Sequence, residues 1–250
     1  MSVMASKRVG LIACEIFFRE IAYFAARSAE VLDVTFLPKG LHDLGGEKMR
    51  VIIQAEIDRM NEKDYDRILL GYGLCNNGIV GLLTKRVPLV IPKAHDCITL
   101  FLGSRQKYQQ YFKANVGTYF HTSGWLERGK VDDQNLAPQM GLQQSLEDYI
   151  AKYGEEDGEY LWEILNPIKN YRKVAYINLP LADLPDLRSR SRQIAEERNW
   201  EWEELTGEPA LMARLLNGPY DDDFLIVQPG HKVVASHDHD VVSVAQLSGS

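Results

Sequence analysis

The 250-residue sequence predicts an α/β fold in which parallel strands alternate with helices. Its short apolar runs lack two-residue alternation, which is typical of strands buried on both faces of a parallel sheet. Amphipathic stretches with apolar residues at three- and four-residue spacing separate these runs. The order β-α-β-α-β occurs twice along the chain. We therefore predict two Rossmann-like halves, related as a degenerate internal repeat and joined by a helical connector.

The N-terminal half is predicted to span residues 1–125. Its helices are expected from Glu15, over residues 49–60, in a short segment that ends near Thr84, and after Ser104, whose hydroxyl suits a helix N-cap. A glycine-rich turn, residues 71–78, precedes the short helix. The predicted strands are residues 8–13, 31–37, 67–72, 87–92 and 117–122.

The connector is predicted at residues 126–170, with helices at 139–153 and 155–168. The C-terminal half, residues 171–250, returns to the opening order. A helix is expected at residues 186–200, and another passes through Leu211 and Leu215 and ends at Gly218, because glycine commonly terminates helices. The strands predicted for this half are residues 173–179, 202–205 and 223–228.

Charge and hydropathy narrow the class of protein. The net charge of −7 and the isoelectric point near 5.4 argue against a nucleic-acid partner, which requires a basic patch. No apolar run approaches the roughly 20 residues of a membrane span, and the N-terminus lacks the apolar region of a signal peptide. We therefore expect a cytoplasmic protein without membrane contact. Three cysteines, an odd number, do not form a disulfide framework.

The cysteines are the main functional signal. Cys14, Cys75 and Cys97 each follow a predicted strand, and His95 lies two residues before Cys97. If the strands are parallel neighbours, their carboxyl ends share one edge of the sheet, where open α/β folds place their sites. Three thiols and an imidazole are the ligands of a soft-metal site. The alternative is that the cysteines are simply buried, because free cysteine often behaves as a small apolar residue.

Two further residues are candidates for acid–base chemistry. His42 follows the second strand and is expected to reach the same sheet edge, as a ligand or a proton-transfer group. Glu15 follows Cys14 and is a candidate acceptor for a ligating histidine. The structural alternatives are that His42 only holds its loop and that Glu15 is a favourable charge at a helix N-terminus.

An anion pocket is predicted next to the cysteines, formed by Asn76, Ser104 and Arg105. These residues follow predicted strand ends or begin a helix, where peptide N–H groups and an arginine can hold a carboxylate or phosphate. A plain serine cap beside a solvated arginine explains the same residues. The sequence contains no nucleophile elbow, no zincin motif and no P-loop, so the common hydrolase and kinase mechanisms lack support.

Three stretches carry a family resemblance. Residues 71–78 (GYGLCNNG), 88–105 (PLVIPKAHDCITLFLGSR) and 117–125 (GTYFHTSGW) resemble a prokaryotic family known as domain of unknown function 1638. The family typically has an arginine where this chain has Lys93, and the resemblance extends over nearly the whole chain. It implies an association with corrinoid-dependent methyltransferase systems, and hence with one-carbon metabolism, but assigns no reaction.

Three hypotheses of function follow. The first is a metal-dependent enzyme, with zinc held by Cys14, Cys75, Cys97 and His95, that acts on a small molecule or thiol in methyl transfer. The second is an iron–sulfur redox protein with a [4Fe–4S] cluster on the three cysteines. The third is a non-catalytic accessory protein that binds a corrinoid protein or methyltransferase. A closed pocket with converging polar groups favours an enzyme, and a large exposed apolar patch favours an accessory role.

Overall fold

The computed structural model describes residues 7–128, 146–165, 170–182, 184–236 and 240–247. Strands and helices alternate along this part of the chain, and the predicted α/β fold class is confirmed. The strands are β1 (Arg8–Cys14), β2 (Val31–Leu37), β3 (Arg67–Gly71), β4 (Leu89–Pro92), β5 (Thr118–His121), β6 (Lys173–Asn178), β7 (Glu201–Thr206), β8 (Phe224–Val227), β9 (His231–Ala235) and β10 (Val242–Gln246).

Helices connect most of these strands. Short 3₁₀ helices lie at Glu15–Phe17 and Leu41–Leu44. The α-helices are α1 (Phe18–Ala25), α2 (Gly46–Asn61), α3 (Cys97–Leu102), α4 (Arg105–Ala114), α5 (Ser123–Glu127), α6 (Leu146–Tyr153), α7 (Glu155–Leu165), α8 (Arg188–Glu197) and α9 (Ala210–Asn217). Helices α6 and α7 belong to the predicted connector, and the predicted helical residues 139–145 and 166–168 lie outside the described residues. No helix in the described ranges combines the length and the hydropathy needed to cross a bilayer.

The first sheet has the strand order β2-β1-β3-β4-β8 within the described chain. Strands β1 to β4 are parallel, and β8 pairs antiparallel with β4. The chain runs from β1 to β2 on one side and then returns across β1 to β3 on the other. The strand order therefore reverses between β1 and β3, and α/β folds bind ligands in the crevice that such a reversal opens at the carboxyl ends.

The second sheet is parallel and has the order β5-β6-β7 in the described residues. Two predicted strands pair outside the half assigned to them. Strand β5, from the N-terminal half, joins the second sheet. Strand β8, predicted as the third strand of the C-terminal half, joins the first. Helix α9, which precedes β8, brings the chain back to the first sheet. Its residues Leu215 and Leu216 pack in the same core as Leu69 of β3 and Val90 of β4.

Both faces of the first sheet are buried. One face carries Leu11 and Leu69 and packs with α1, α3 and α9; the other carries Ile12 and Leu70 and packs with α2. Because alternate residues enter two different cores, the strands read as continuous apolar runs. The first core also includes Ile177 of β6, so the two sheets share it.

The short helix predicted before Thr84 is wrong. Residues 75–81 form consecutive turns. Cys75, Asn76 and Asn77 have φ angles of 39°, 54° and 60°, in the left-handed region that a right-handed helix cannot use. Asparagine tolerates this conformation, and glycines at 73 and 78 allow close packing on either side of the turn.

Candidate functional site

The structure brings the three cysteines together. Cys14, Cys75 and Cys97 line one cavity of about 30 Å³. Cys14 ends β1, Cys75 follows β3, and Cys97 begins α3 after β4. The cavity therefore lies at the carboxyl edge of the first sheet, where the strand order reverses between β1 and β3. Its volume suits a single water or ion and is far below the roughly 300–1,000 Å³ of drug-sized ligand sites.

Backbone packing holds Cys75 beside the segment that carries Cys97. The Leu74 N–H donates to the Ala94 carbonyl at 2.8 Å, and the Cys75 N–H donates to the His95 carbonyl at 3.0 Å. A Cβ on Gly73 would lie 2.7 Å from the Asp96 Cα, so only glycine permits this approach. The glycine-rich stretch therefore allows the backbone of residues 73–75 to pack directly against that of residues 94–96.

The conformation of Cys75 is strained. A non-glycine residue in the left-handed region costs on the order of 1–3 kcal/mol, and cysteine lacks the local hydrogen bond that helps asparagine there. Such strain persists only where the surroundings enforce it, and it is concentrated at functional sites. Here it directs Cys75 into the cavity.

The thiols are held in their neutral form. Burial raises the pKa of Cys14 to about 11 and that of Cys75 to about 12, and it raises the pKa of Cys97 well above its ordinary value. Asp96 adds to the increase at Cys75 and Cys97. Peptide N–H groups oppose it: Ile16 donates to the sulfur of Cys14, and Gly73 and Cys97 donate to that of Cys75. Burial outweighs these donors, so the three thiols keep their protons at neutral pH.

The cavity walls are largely apolar. Lys39 and Tyr72 bring polar groups to it. The Lys39 ammonium donates to the Trp125 carbonyl at 3.1 Å and lies 4.4 Å from the centre of the Trp125 ring. Its charge lowers the pKa of Cys14. The apolar lining includes Ile16, Phe17, Leu41, Met49 and Trp125.

Sequence reasoning missed three residues of this site. Lys39 follows β2 after one residue, so its place after a strand, the signal that singled out the cysteines, could have indicated it. Tyr72 follows β3 directly, but the predicted strand 67–72 included it. Trp125 comes from α5, after a strand of the second sheet. Its place in the cavity follows from close packing of α5 on the 3₁₀ helix after β1, where a Cβ on Gly124 would overlap the Ile16 carbonyl oxygen at 1.7 Å. No sequence signal indicated that contact.

His95 is not among the residues that line the cavity. Its ring stacks on Tyr108, with centroids 5.9 Å apart. The neighbouring Asp96 caps α3: its carboxylate accepts from the Ile98 N–H at 3.0 Å and from the Tyr108 hydroxyl at 2.7 Å. As they stand, no three His, Cys, Asp or Glu side chains of the described residues form a group that could hold a metal ion.

The structure describes the side chain of Glu15, but not that of His42, the other acid–base candidate. Glu15 lies beside the cavity edge, where its carboxylate accepts a hydrogen bond from the Lys39 N–H at 2.7 Å and so ties the end of β1 to the end of β2. His42 lies in the 3₁₀ helix Leu41–Leu44, but its side chain is outside the described residues.

The structure does not place Asn76, Ser104 and Arg105 in the cavity lining. Ser104 caps α4 by accepting from the Lys107 N–H at 3.0 Å. Arg105 faces acidic side chains, with its guanidinium 3.3 Å from Asp240 and 3.5 Å from Asp223. Asn76 is exposed on the left-handed turn. An arginine that already faces two carboxylates has less capacity for an anionic ligand, and the anion pocket stays a prediction.

Comparison with known proteins identifies the family. The family described as "Protein of unknown function (DUF1638)" matches residues 36–216, more than half of the chain. The chain belongs to DUF1638. The matched part of this DUF1638 protein includes Lys39, Tyr72, Cys75 and Cys97, whereas Cys14 precedes it.

No curated protein matches this DUF1638 sequence. Among solved structures, a sugar transporter from Clostridium phytofermentans aligns with a TM-score of 0.35 and 10% identity. The alignment covers 90% of this chain and 99% of the transporter. A likeness at this level supports no inference about fold or function.

Proposed function

We propose that this protein binds a thiophilic metal ion through Cys14, Cys75 and Cys97 and acts as a metal-dependent enzyme, with zinc as the first candidate ion. One observation carries the proposal: three cysteines from distant parts of the sequence line one small cavity where the strand order of a parallel sheet reverses. Thiolates are preferred ligands of zinc and other soft metal ions.

The electrostatics of the cavity support this assignment. Peptide N–H groups directed at the sulfurs of Cys14 and Cys75 favour thiolates, while burial holds the thiols neutral. A bound cation reverses this balance, because a thiol that coordinates a metal loses its proton. Binding should therefore release protons and depend on pH.

Binding requires a local rearrangement. The thiols do not form a metal-holding group as they stand, so they must turn about their Cα–Cβ bonds toward the cavity. The volume of about 30 Å³ favours a single ion over a four-iron cluster, which places the iron–sulfur hypothesis second. His95 would have to leave its stack on Tyr108 to act as the fourth ligand.

The chemistry proposed for the ion is activation of a small substrate, with a thiol as the leading class. Zinc held by Cys14, Cys75 and Cys97 would bind a substrate thiol as thiolate with release of its proton to solvent, and that sulfur would then be a nucleophile for a methyl group. Lys39 lies at the cavity wall, where its charge offsets part of the negative charge of three thiolates.

Anaerobic purification followed by elemental analysis tests the proposal. We expect about one zinc per chain in the native protein and a loss of most of it in Cys75→Ser. Ala94→Ser is the matched control, because it buries a new hydroxyl near the site without removing a sulfur; it should retain the metal. Native protein that takes up no metal after anaerobic reconstitution, or Cys75→Ser with unchanged metal content, would contradict the proposal. A brown protein with iron and sulfide would favour the cluster.

A further inference from the structure

The Tyr72 hydroxyl is a buried donor at the thiol cavity. Tyr72 is 4% exposed and lines the cavity, and its hydroxyl faces the sulfur of Cys14 without a well-formed hydrogen bond to any described residue. Buried polar groups almost always have a good partner, so a buried donor that faces only a weak acceptor indicates that the acceptor becomes stronger in another state of the site.

The register of the first sheet places this donor beside Cys14. Ala13 of β1 pairs with Gly71 of β3, so the next residues, Cys14 and Tyr72, leave the sheet side by side. A Cβ on Gly71 would approach the Ala13 Cβ to 2.8 Å, so the two strand ends are in close contact. The hydroxyl and the Cys14 sulfur are near enough to shift each other's pKa.

The acceptor must be an electron-rich atom in the cavity. A tyrosine hydroxyl keeps its proton at neutral pH and so acts as a donor. A neutral thiol is a weak acceptor, whereas hydrogen bonds to ionised acceptors are short and strong. A thiolate that coordinates a metal ion is such an acceptor.

We propose that Tyr72 is a positioning residue that donates a hydrogen bond to the sulfur of Cys14 when that sulfur coordinates a metal ion. This inference rests on the proposed function. Hydrogen bonds to coordinating sulfurs orient the ligand and tune the metal. The other donors directed at Cys14 and Cys75 are peptide N–H groups, which substitution of a side chain does not remove. Tyr72 is therefore the donor that mutation can test.

Tyr72→Phe removes the hydroxyl and retains the ring. The variant and the native protein are loaded anaerobically with Co²⁺, which reports thiolate coordination through a sulfur-to-metal charge-transfer band. We expect this band to move to lower energy, because a thiolate without its hydrogen bond donates electrons more readily. We also expect the Zn²⁺ dissociation constant to rise about tenfold.

Tyr65→Phe is the matched control. Tyr65 is also 4% exposed and packs in the same core, but it precedes β3, and its hydroxyl donates to Asp33 at 2.9 Å. This variant should leave both the band and the dissociation constant unchanged. If Tyr72→Phe fails to fold, Tyr72→3-fluorotyrosine keeps the ring and strengthens the donor, and the band should then move to higher energy.

The outcomes separate this inference from the proposed function. A native charge-transfer band in Tyr72→Phe, with unchanged Zn²⁺ affinity, overturns the role of Tyr72 and leaves the metal site intact. An equal shift in Tyr65→Phe also overturns it, because the effect would then come from packing. A native protein that binds neither Co²⁺ nor Zn²⁺ overturns both proposals.

Discussion

His121 and Ser191 face each other in the core beside the second sheet, with Nδ1 of His121 2.9 Å from Oγ of Ser191. The Trp202 indole N–H also donates to this oxygen, at 3.0 Å. Because the Ser191 oxygen accepts from Trp202, its own proton is available for Nδ1 of His121. The imidazole is then neutral and carries its proton on Nε2. Burial lowers the pKa of His121 to about 3, in agreement with that form.

The first prediction concerns stability in acid. The pKa of His121 is lower in the folded than in the unfolded protein, so the unfolded chain binds more protons between about pH 6.5 and pH 3. This group therefore lowers the free energy of unfolding as the pH falls through that window, by about 2 kcal/mol between pH 7 and pH 5. Urea unfolding of the native protein and His121→Asn at both pH values measures the difference. An equal pH dependence in the two proteins would contradict it.

The second prediction concerns Glu20, a fully buried carboxyl of α1. Burial raises its pKa to about 7; Glu127 adds to this, while Ser123 and Arg19 oppose it. The folded protein binds more protons than the unfolded chain between about pH 4.5 and pH 7, so this group lowers stability as the pH rises through that window. We expect native protein to lose about 2–3 kcal/mol relative to Glu20→Gln between pH 5 and pH 8. Urea unfolding at several pH values measures this difference. If the free energy of unfolding changes equally with pH in the native protein and in Glu20→Gln, the pKa of Glu20 is not raised by folding.

The third prediction concerns the close contact at Gly73. In Gly73→Ala the new Cβ meets backbone atoms of Asp96 at 2.7–2.8 Å, which cannot yield as a side chain would. We expect a loss of about 1–3 kcal/mol in unfolding free energy and a separation of Cys75 from Cys97 that lowers metal content. Gly45→Ala is the control: no described atom lies within 4 Å of its new Cβ, so it costs only its positive-φ backbone (φ 84°, ψ 153°), on the order of 1–3 kcal/mol, and should retain the metal.

The fourth prediction separates Arg105 from the thiol cavity. Arg105→Gln removes the guanidinium that faces Asp223 and Asp240, in a partly exposed network that also contains Lys93. We expect less than about 1 kcal/mol of destabilisation and unchanged metal content, because exposed ion pairs contribute little. A fall in zinc content with this substitution would contradict the separation of Arg105 from the thiol cavity.

Part of the site could be predicted without a structure. The cysteines follow apolar runs, and parallel strands bring their carboxyl ends to one edge, so the convergence of Cys14, Cys75 and Cys97 needed only correct strands. The surroundings of Arg105 could not be predicted in the same way. The position of Arg105 at a helix start is local information, whereas its engagement by Asp223 and Asp240 depends on chain segments more than a hundred residues away.

The sequence by itself determined the α/β class, the place of most strands and the cysteine edge, because burial of alternate residues on two faces leaves a local hydropathy pattern. Tertiary structure alone decided that β8 joins the first sheet, that β5 joins the second, and that Tyr72 and Trp125 reach the thiol cavity. These features depend on which apolar surfaces pack together, for example the packing of α9 against β3 and β4 of the first sheet. A pairing between distant segments is set by the free energy of the whole core, and no local pattern encodes it.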